Sequence, residues 1–198
     1  MTRRLQVIGT LILLAGLLTA APARAQDPQA FVAALGNQAI QVLGPSVSPA
    51  QRVARFRQLF QDDFDVPGIG QFVLGRYWRT ATPAEQQEFL RLFQEYIVQA
   101  YAGRLGEYGG EPFRVTGSRP SGDETVVSSL IERPNAGRIQ VDWYLTTRGA
   151  KPKITDVYVG GVSMKVTQRD EFSSVIQRNG GRVEALLAQI RQRLAAAR

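Results

Sequence analysis

The sequence predicts an α+β protein: helices first, then a short antiparallel meander, then helices again. Two observations carry this. From Pro28 to about Leu105, and again after Asp170, apolar residues recur three and four positions apart. Between Pro112 and Val166 the period falls to two, with Gly, Pro, Asn and Ser at each reversal. Strands segregated from helices give a sheet whose apolar face is covered by helices.

The first helix starts at Pro28 and sets Phe31, Leu35, Ala39 and Val42 on one face before Gly44-Pro45 stops it. Ser48-Pro49 restarts the chain as an N-cap followed by proline at the tolerated first position. The stripe Val53, Phe56, Leu59, Phe60 and Phe64 follows, and Pro67-Gly68 is expected to end it. A short helix is expected over Ile69 to Tyr77. Thr82-Pro83-Ala84-Glu85 then spells a capping box, opening a helix to about Leu105 that gathers Phe89, Phe93, Tyr96, Ile97, Ala100 and Tyr101.

Four strands are expected: Phe113 to Gly117, Thr125 to Arg133, Arg138 to Thr147 and Lys153 to Val159. In the third, Ile139, Val141, Trp143 and Leu145 alternate with polar neighbours, the mark of a strand buried on one face. After Gly160-Gly161 a short strand over Val162 to Val166 is expected. It leads to a helix around Asp170 to Gln177 and a last helix bearing Val183, Leu186, Leu187, Ile190 and Leu194.

The first 25 residues read as an export leader. Arg3 and Arg4 precede an apolar run from Leu5 to Leu18, and Ala23-Arg24-Ala25 has the small-x-small spacing of a signal-peptidase site. A membrane anchor needs about 20 apolar residues, more than this run supplies. The expectation is a leader over residues 1–25 and one domain over 26–198 in the periplasm. The 24 basic residues include Arg3, Arg4 and Arg24, so the mature chain holds 21 against 17 acids, a surplus of +4 spread along its length. Nucleic-acid binders concentrate such charge in a stripe or motif, and no nucleic-acid partner is expected.

The chain has no histidine and no cysteine, which removes the usual nucleophile–base pairs and zinc ligands. No metal site, cofactor or catalytic residue is expected. Asp62, Asp63 and Asp65 read as a solvated helix end rather than a cation site. Asp142 and Asp156 are the strand carboxylates available to acid–base chemistry. The aromatic residues on helices and strands can build either a close-packed core or the wall of an apolar pocket, and pattern alone does not choose between them. If a pocket exists, in-phase placement assigns its wall to Tyr77, Phe93, Ile97, Val127, Trp143, Val157, Val159 and Met164. Arg148, Lys151, Lys153, Lys165 and Arg169 would then form a basic rim.

Two blocks resemble a known family. Gly75-Arg76-Tyr77-Trp78-Arg79, Thr82-Pro83-Ala84-Glu85, Phe89, Phe93 and Tyr101 form the first; Lys153-Ile154-Thr155-Asp156-Val157-Tyr158-Val159-Gly160-Gly161-Val162-Ser163-Met164 forms the second. Together they resemble the MlaC or toluene-tolerance (Ttg2-type) family, whose hopanoid-associated HpnM-like branch shares the signature. Gly160 stands where the family carries an acid. The resemblance implies a cone-shaped fold like that of nuclear transport factor 2, with a four-stranded antiparallel sheet covered by N- and C-terminal helices. It also implies a non-enzymatic carrier whose cargo is phospholipid or a related lipid. Its implied partners are an outer-membrane lipoprotein–porin complex and an inner-membrane ABC transporter with an MCE-domain ring. The alternatives are a hopanoid-associated carrier and, from another class, an isomerase or dehydratase built on the same scaffold around Asp142 or Asp156. A lipoprotein chaperone of the open half-barrel kind would need more strands.

Overall fold

The structure, a computed structural model, describes residues 27–43, 46–105, 111–133, 137–147 and 151–197. The leader, Arg148 and the Gly44-Pro45 stop lie outside them. Helices α1 (Pro28–Leu43), α2 (Pro49–Asp63), α3 (Val66–Leu74) and α4 (Pro83–Leu105) precede strands β1 (Phe113–Ser121), β2 (Glu124–Arg133), β3 (Gly137–Thr146), β4 (Lys153–Val159) and β5 (Val162–Ser163). Helices α5 (Met164–Arg178) and α6 (Val183–Ala196) follow.

The caps decide the helix starts. The Ser48 hydroxyl accepts the Gln51 N–H at 3.3 Å while the Gln51 side-chain amide oxygen accepts the Ser48 N–H at 3.4 Å, a reciprocal box at α2. Thr82 and Glu85 do the same at α4, with the Thr82 N–H donating to the Glu85 carboxylate at 2.8 Å. Pro67 does not break the chain as expected. Asp65 accepts the Gly68 N–H at 3.1 Å, which makes it the N-cap of α3 and leaves Pro67 in the first turn, where its missing N–H is not needed. That helix ends at Gly75, whose φ of +60° turns the chain into a short 3-10 segment, Gly75–Arg79.

The five strands pair in sequence order, all antiparallel. β1 runs past its expected end at Gly117 through a bulge between Val115 and Gly117, and it keeps Pro120 because it is an edge strand. Gly160 and Gly161 both have positive φ, as the two-residue turn joining β4 to β5 requires. The fifth strand is two residues long, where the sequence suggested four strands and a further stretch to Val166. Ser163 ends it by capping α5, its hydroxyl accepting the Val166 N–H at 3.1 Å, so Met164 opens a helix instead of continuing a strand.

Helices cover one face of the sheet. α1 lands at the end near the β3–β4 turn, burying Phe31, Val32 and Leu35 with Leu59, Val127, Leu145 and Ile154. Gly36 makes this approach possible: a Cβ there would meet the Phe113 ring at 2.2 Å. A second, larger core joins α2 to α6, with Phe89, Phe93 and Phe172 fully buried and Phe172 edge-on to both other rings. The α2–α3 junction stitches the two together, since the Asp65 N–H donates to the Ile154 carbonyl at 2.8 Å. Among the described residues no helix is long and apolar enough to cross a membrane.

Candidate functional site

Between the two cores the helices stand off the sheet and leave a cavity of about 330 Å³. Its helical wall is Phe56 and Phe60 from α2 with Phe64 just after it, Ile69 and Val73 from α3, and Phe93, Ile97 and Tyr101 from α4. Its sheet wall is Ile131, Ile139, Val141, Trp143, Val157 and Val159. The register explains the second set: Ile131 pairs with Ile139, Val141 with Val159 and Trp143 with Val157, so one face of three strands carries them all. Met164, Lys165 and Gln168 from the first turns of α5 close one side, beside Thr155 and Asp156.

The Trp143 indole and the Asp156 carboxylate along this wall are both hydrogen-bonded. The Trp143 indole N–H donates to the Ser129 hydroxyl at 2.9 Å, and that hydroxyl donates to the Val141 carbonyl at 3.1 Å. Asp156 is buried and accepts from three donors: the Ser163 hydroxyl at 2.5 Å, the Val157 N–H at 2.8 Å and the Lys165 N–H at 3.1 Å. It ties β4 and β5 to the start of α5. Asp142 pairs with Tyr158 on the other face of the sheet, away from the cavity, accepting from Ser128 at 2.6 Å and from Gln140 at 2.9 Å. On that face the Tyr158 phenol is held above its ordinary range, first by burial and then by Tyr144, whose ring centroid is 4.7 Å away, and by Asp156. No group of three or more His, Cys, Asp or Glu that could hold a metal ion occurs among the described residues.

Six of the eight residues assigned from the sequence share this cavity: Phe93, Ile97, Trp143, Val157, Val159 and Met164. Two do not. Val127 is on the correct face, opposite Trp143, but lies at the end that α1 covers, packed in the smaller core. Tyr77 follows the turn at Gly75 and is buried in the helical core, its hydroxyl accepting from Arg76 at 2.8 Å. The α2 and α3 residues were not assigned, although the Phe56–Phe60–Phe64 spacing marks them, and neither were Ile139 and Val141, which share the phase of Trp143.

The basic rim does not form one edge. Lys151 precedes β4 and Lys153 opens it, at the end covered by α1. There Lys151 pairs with Asp63 at 2.6 Å and Lys153 donates to the Asp62 carbonyl at 2.6 Å. The acidic cluster is therefore solvated only at Asp62: Asp63 is buried under Lys151, and Asp65 caps α3. Lys165 and Arg169 lie at the other end, both over the Phe72 ring at 4.8 and 5.0 Å.

The fold matches a solved structure described as a phospholipid-binding protein from Ralstonia solanacearum in complex with a phospholipid. The TM-score is 0.73 at 24% identity, over 86% of this chain and 98% of that one. In sequence the chain is 28% identical over 156 residues to the toluene tolerance protein ttg2D of Pseudomonas putida, covering 78% of this chain and 63% of that protein. It is 22% identical over 128 residues to the intermembrane phospholipid transport system binding protein MlaC of Haemophilus influenzae, covering 62% and 59%. The chain thus spans about three fifths of the length of these two curated relatives. The profile of the MlaC protein family matches residues 35–192, the stretch that holds every residue of the cavity wall and both cores apart from Phe31 and Val32, and the chain belongs to that family.

Proposed function

We propose that this protein is a lipid carrier that holds acyl chain in the cavity between α4 and the sheet and does no bond chemistry. The observation that carries the reading is the cavity itself: about 330 Å³, within the range of ligand pockets, about 300–1,000 Å³, and walled by aromatic and branched aliphatic side chains from three helices and three strands. Burying a methylene is worth about 0.8 kcal/mol, so two acyl chains of about 30 methylenes represent more than 20 kcal/mol of transfer out of water. No lipid crosses an aqueous compartment unaided at useful rates against that figure. A carrier replaces the apolar contacts and leaves the headgroup in water, because burying an unpaired phosphate is prohibitive.

The cargo we assign is phospholipid, the ligand class in the descriptions of the Ralstonia and Haemophilus proteins; a hopanoid-type lipid is the alternative. We place the protein in the periplasm after cleavage of residues 1–25. We assign it to transfer between an outer-membrane lipoprotein–porin complex and an inner-membrane MCE-domain ABC transporter. The isomerase or dehydratase reading has little to stand on: Asp142 faces away from the cavity, and both Asp156 oxygens accept structural hydrogen bonds. The test is to purify the exported protein from its own envelope, extract it and quantify bound lipid by mass spectrometry. Stoichiometric phospholipid is expected. Protein that emerges free of lipid, and takes none up from vesicles, would refute the carrier.

A further inference from the structure

Among the described residues the large apolar side chains left exposed are Val159 and Val162, at 38% and 54%. Both lie on the Gly160-Gly161 hairpin, and Val159 is also cavity wall. An apolar path therefore runs from the cavity to the exposed tip of this hairpin. The flank of that tip is basic. Lys165, the second residue of α5, stands three residues after Val162, and Arg169 follows one turn on, beside Gly75, which leads into Arg76 and Arg79. Lys165, Arg76 and Arg79 have no carboxylate at ion-pair distance among the described residues, and the acid facing Arg169 is exposed Asp170 at 3.5 Å. Farther along α5, Glu171 is engaged by Arg193 on α6.

We infer that the Val159–Val162 hairpin and the Lys165–Arg169 flank form a docking surface for an anionic lipid bilayer, holding the cavity mouth against the membrane. The inference takes the cavity as a lipid site. An apolar tip with cations beside it is the pattern that seats at a membrane interface, the apolar part among acyl chains and the cations among headgroups. A lipid leaving the bilayer here passes along Val162 and Val159 into the cavity without a fully aqueous step. Each basic residue near an anionic surface strengthens binding about fivefold. Two valines and a few cations thus give weak, salt-sensitive, reversible attachment, which suits a protein that must leave again.

The experiment is flotation of the mature chain with vesicles of phosphatidylcholine alone or mixed with phosphatidylglycerol, at low and high salt. Binding is expected to the mixed vesicles at low salt and to fall away at high salt. Val162→Asp should lower it at least fivefold. Arg169→Glu, which changes two charges, should lower it about 25-fold, and Arg55→Glu, exposed on α2, should leave it unchanged. Melting temperature and retained lipid are measured on each variant, and Val162→Asp should keep both, since its side chain is outside the cavity wall. If the wild type ignores mixed vesicles, if Val162→Asp binds as the wild type does, or if the surface proves to engage an acidic protein and no bilayer, the inference is overturned. Lipid retained without vesicle binding would refute the docking surface and leave the carrier standing; vesicle binding through the hairpin by a chain that never holds lipid would do the reverse.

Discussion

Replacing Val141 with Phe tests whether the space beneath the sheet is a working cavity. Val141 is 4% exposed, in the middle of β3, opposite Val159 and facing the cavity. In a close-packed interior four added carbons force neighbours off their rotamers and lower stability by about 1–3 kcal/mol. At an empty wall the same carbons leave water at about 0.8 kcal/mol per methylene, up to about 3 kcal/mol in favour of folding. Both residues suit a strand, so backbone preference does not bias the outcome. The reserve is large: at about 24 cal/mol per Å³, a 330 Å³ void corresponds to roughly 8 kcal/mol, an upper bound because water enters the mouth. For a chain of this size each kcal/mol moves the melting temperature by about 2–4 °C. Lipid-stripped Val141→Phe should therefore melt above the stripped wild type, by up to roughly 6–12 °C. The same variant should retain less lipid, because ring and acyl chain compete for one volume. The assays are thermal unfolding of stripped protein and mass quantification of lipid from unstripped protein. A lower melting temperature with unchanged lipid content would refute the reasoning.

Val157→Asp should cut retained lipid at least tenfold by placing an unpaired charge against acyl chain, whereas Val157→Ile should change it little; lipid extraction from both variants decides. Asp156→Asn should destabilise the fold by about 2 kcal/mol, the scale of hydrogen bonds to a charged group, and leave lipid content normal in the protein that folds; denaturant unfolding and extraction measure the two separately. The Glu88 carboxyl on α4 is held below its usual range, first by the hydrogen bond from Arg191 on α6. Its contribution is present above the unfolded-state value and is lost as pH falls through the depressed folded value, so Glu88→Gln should flatten the acid limb of a stability–pH curve. The exported protein should begin at Gln26, as N-terminal sequencing would read.

Much of the fold was legible because local chemistry and global packing agree. Ser48-Pro49 and Thr82-Pro83-Ala84-Glu85 name their own helix starts, and Ile139 to Leu145 shows its buried face by alternation alone. The misreadings share a cause. Pro67-Gly68 is a stop signal unless something caps the next turn, and Asp65 does so. Val162 to Val166 alternates over five residues, too few to separate a strand from a helix start, and the Ser163 cap settles it. Both cases turn on one side-chain hydrogen bond outside the apolar pattern.

The site was less legible because period two identifies a face but not a height along it. Val127 shares the face of Trp143, yet α1 buries it, and where α1 lands depends on Gly36 admitting the Phe113 ring. The basic rim failed by the same geometry. Lys153 and Lys165 flank one hairpin in sequence, but β4 lies between them, and seven residues at about 3.3 Å each separate its ends by roughly 20 Å. Tyr77 was placed by continuing a helix that Gly75 interrupts. The fate of Asp156 links these points to function. A buried carboxylate near an apolar cavity invites an acid–base role, and the sequence alone cannot distinguish that from a structural one. Here Ser163, Val157 and Lys165 converge on its two oxygens. They fix the start of α5 against the end of β4, setting Met164 and Lys165 at the cavity and Val162 at the tip. One of the two carboxylates open to acid–base chemistry is thus the one that positions the mouth, which is why its loss should read out in stability and geometry before it reads out in anything resembling turnover.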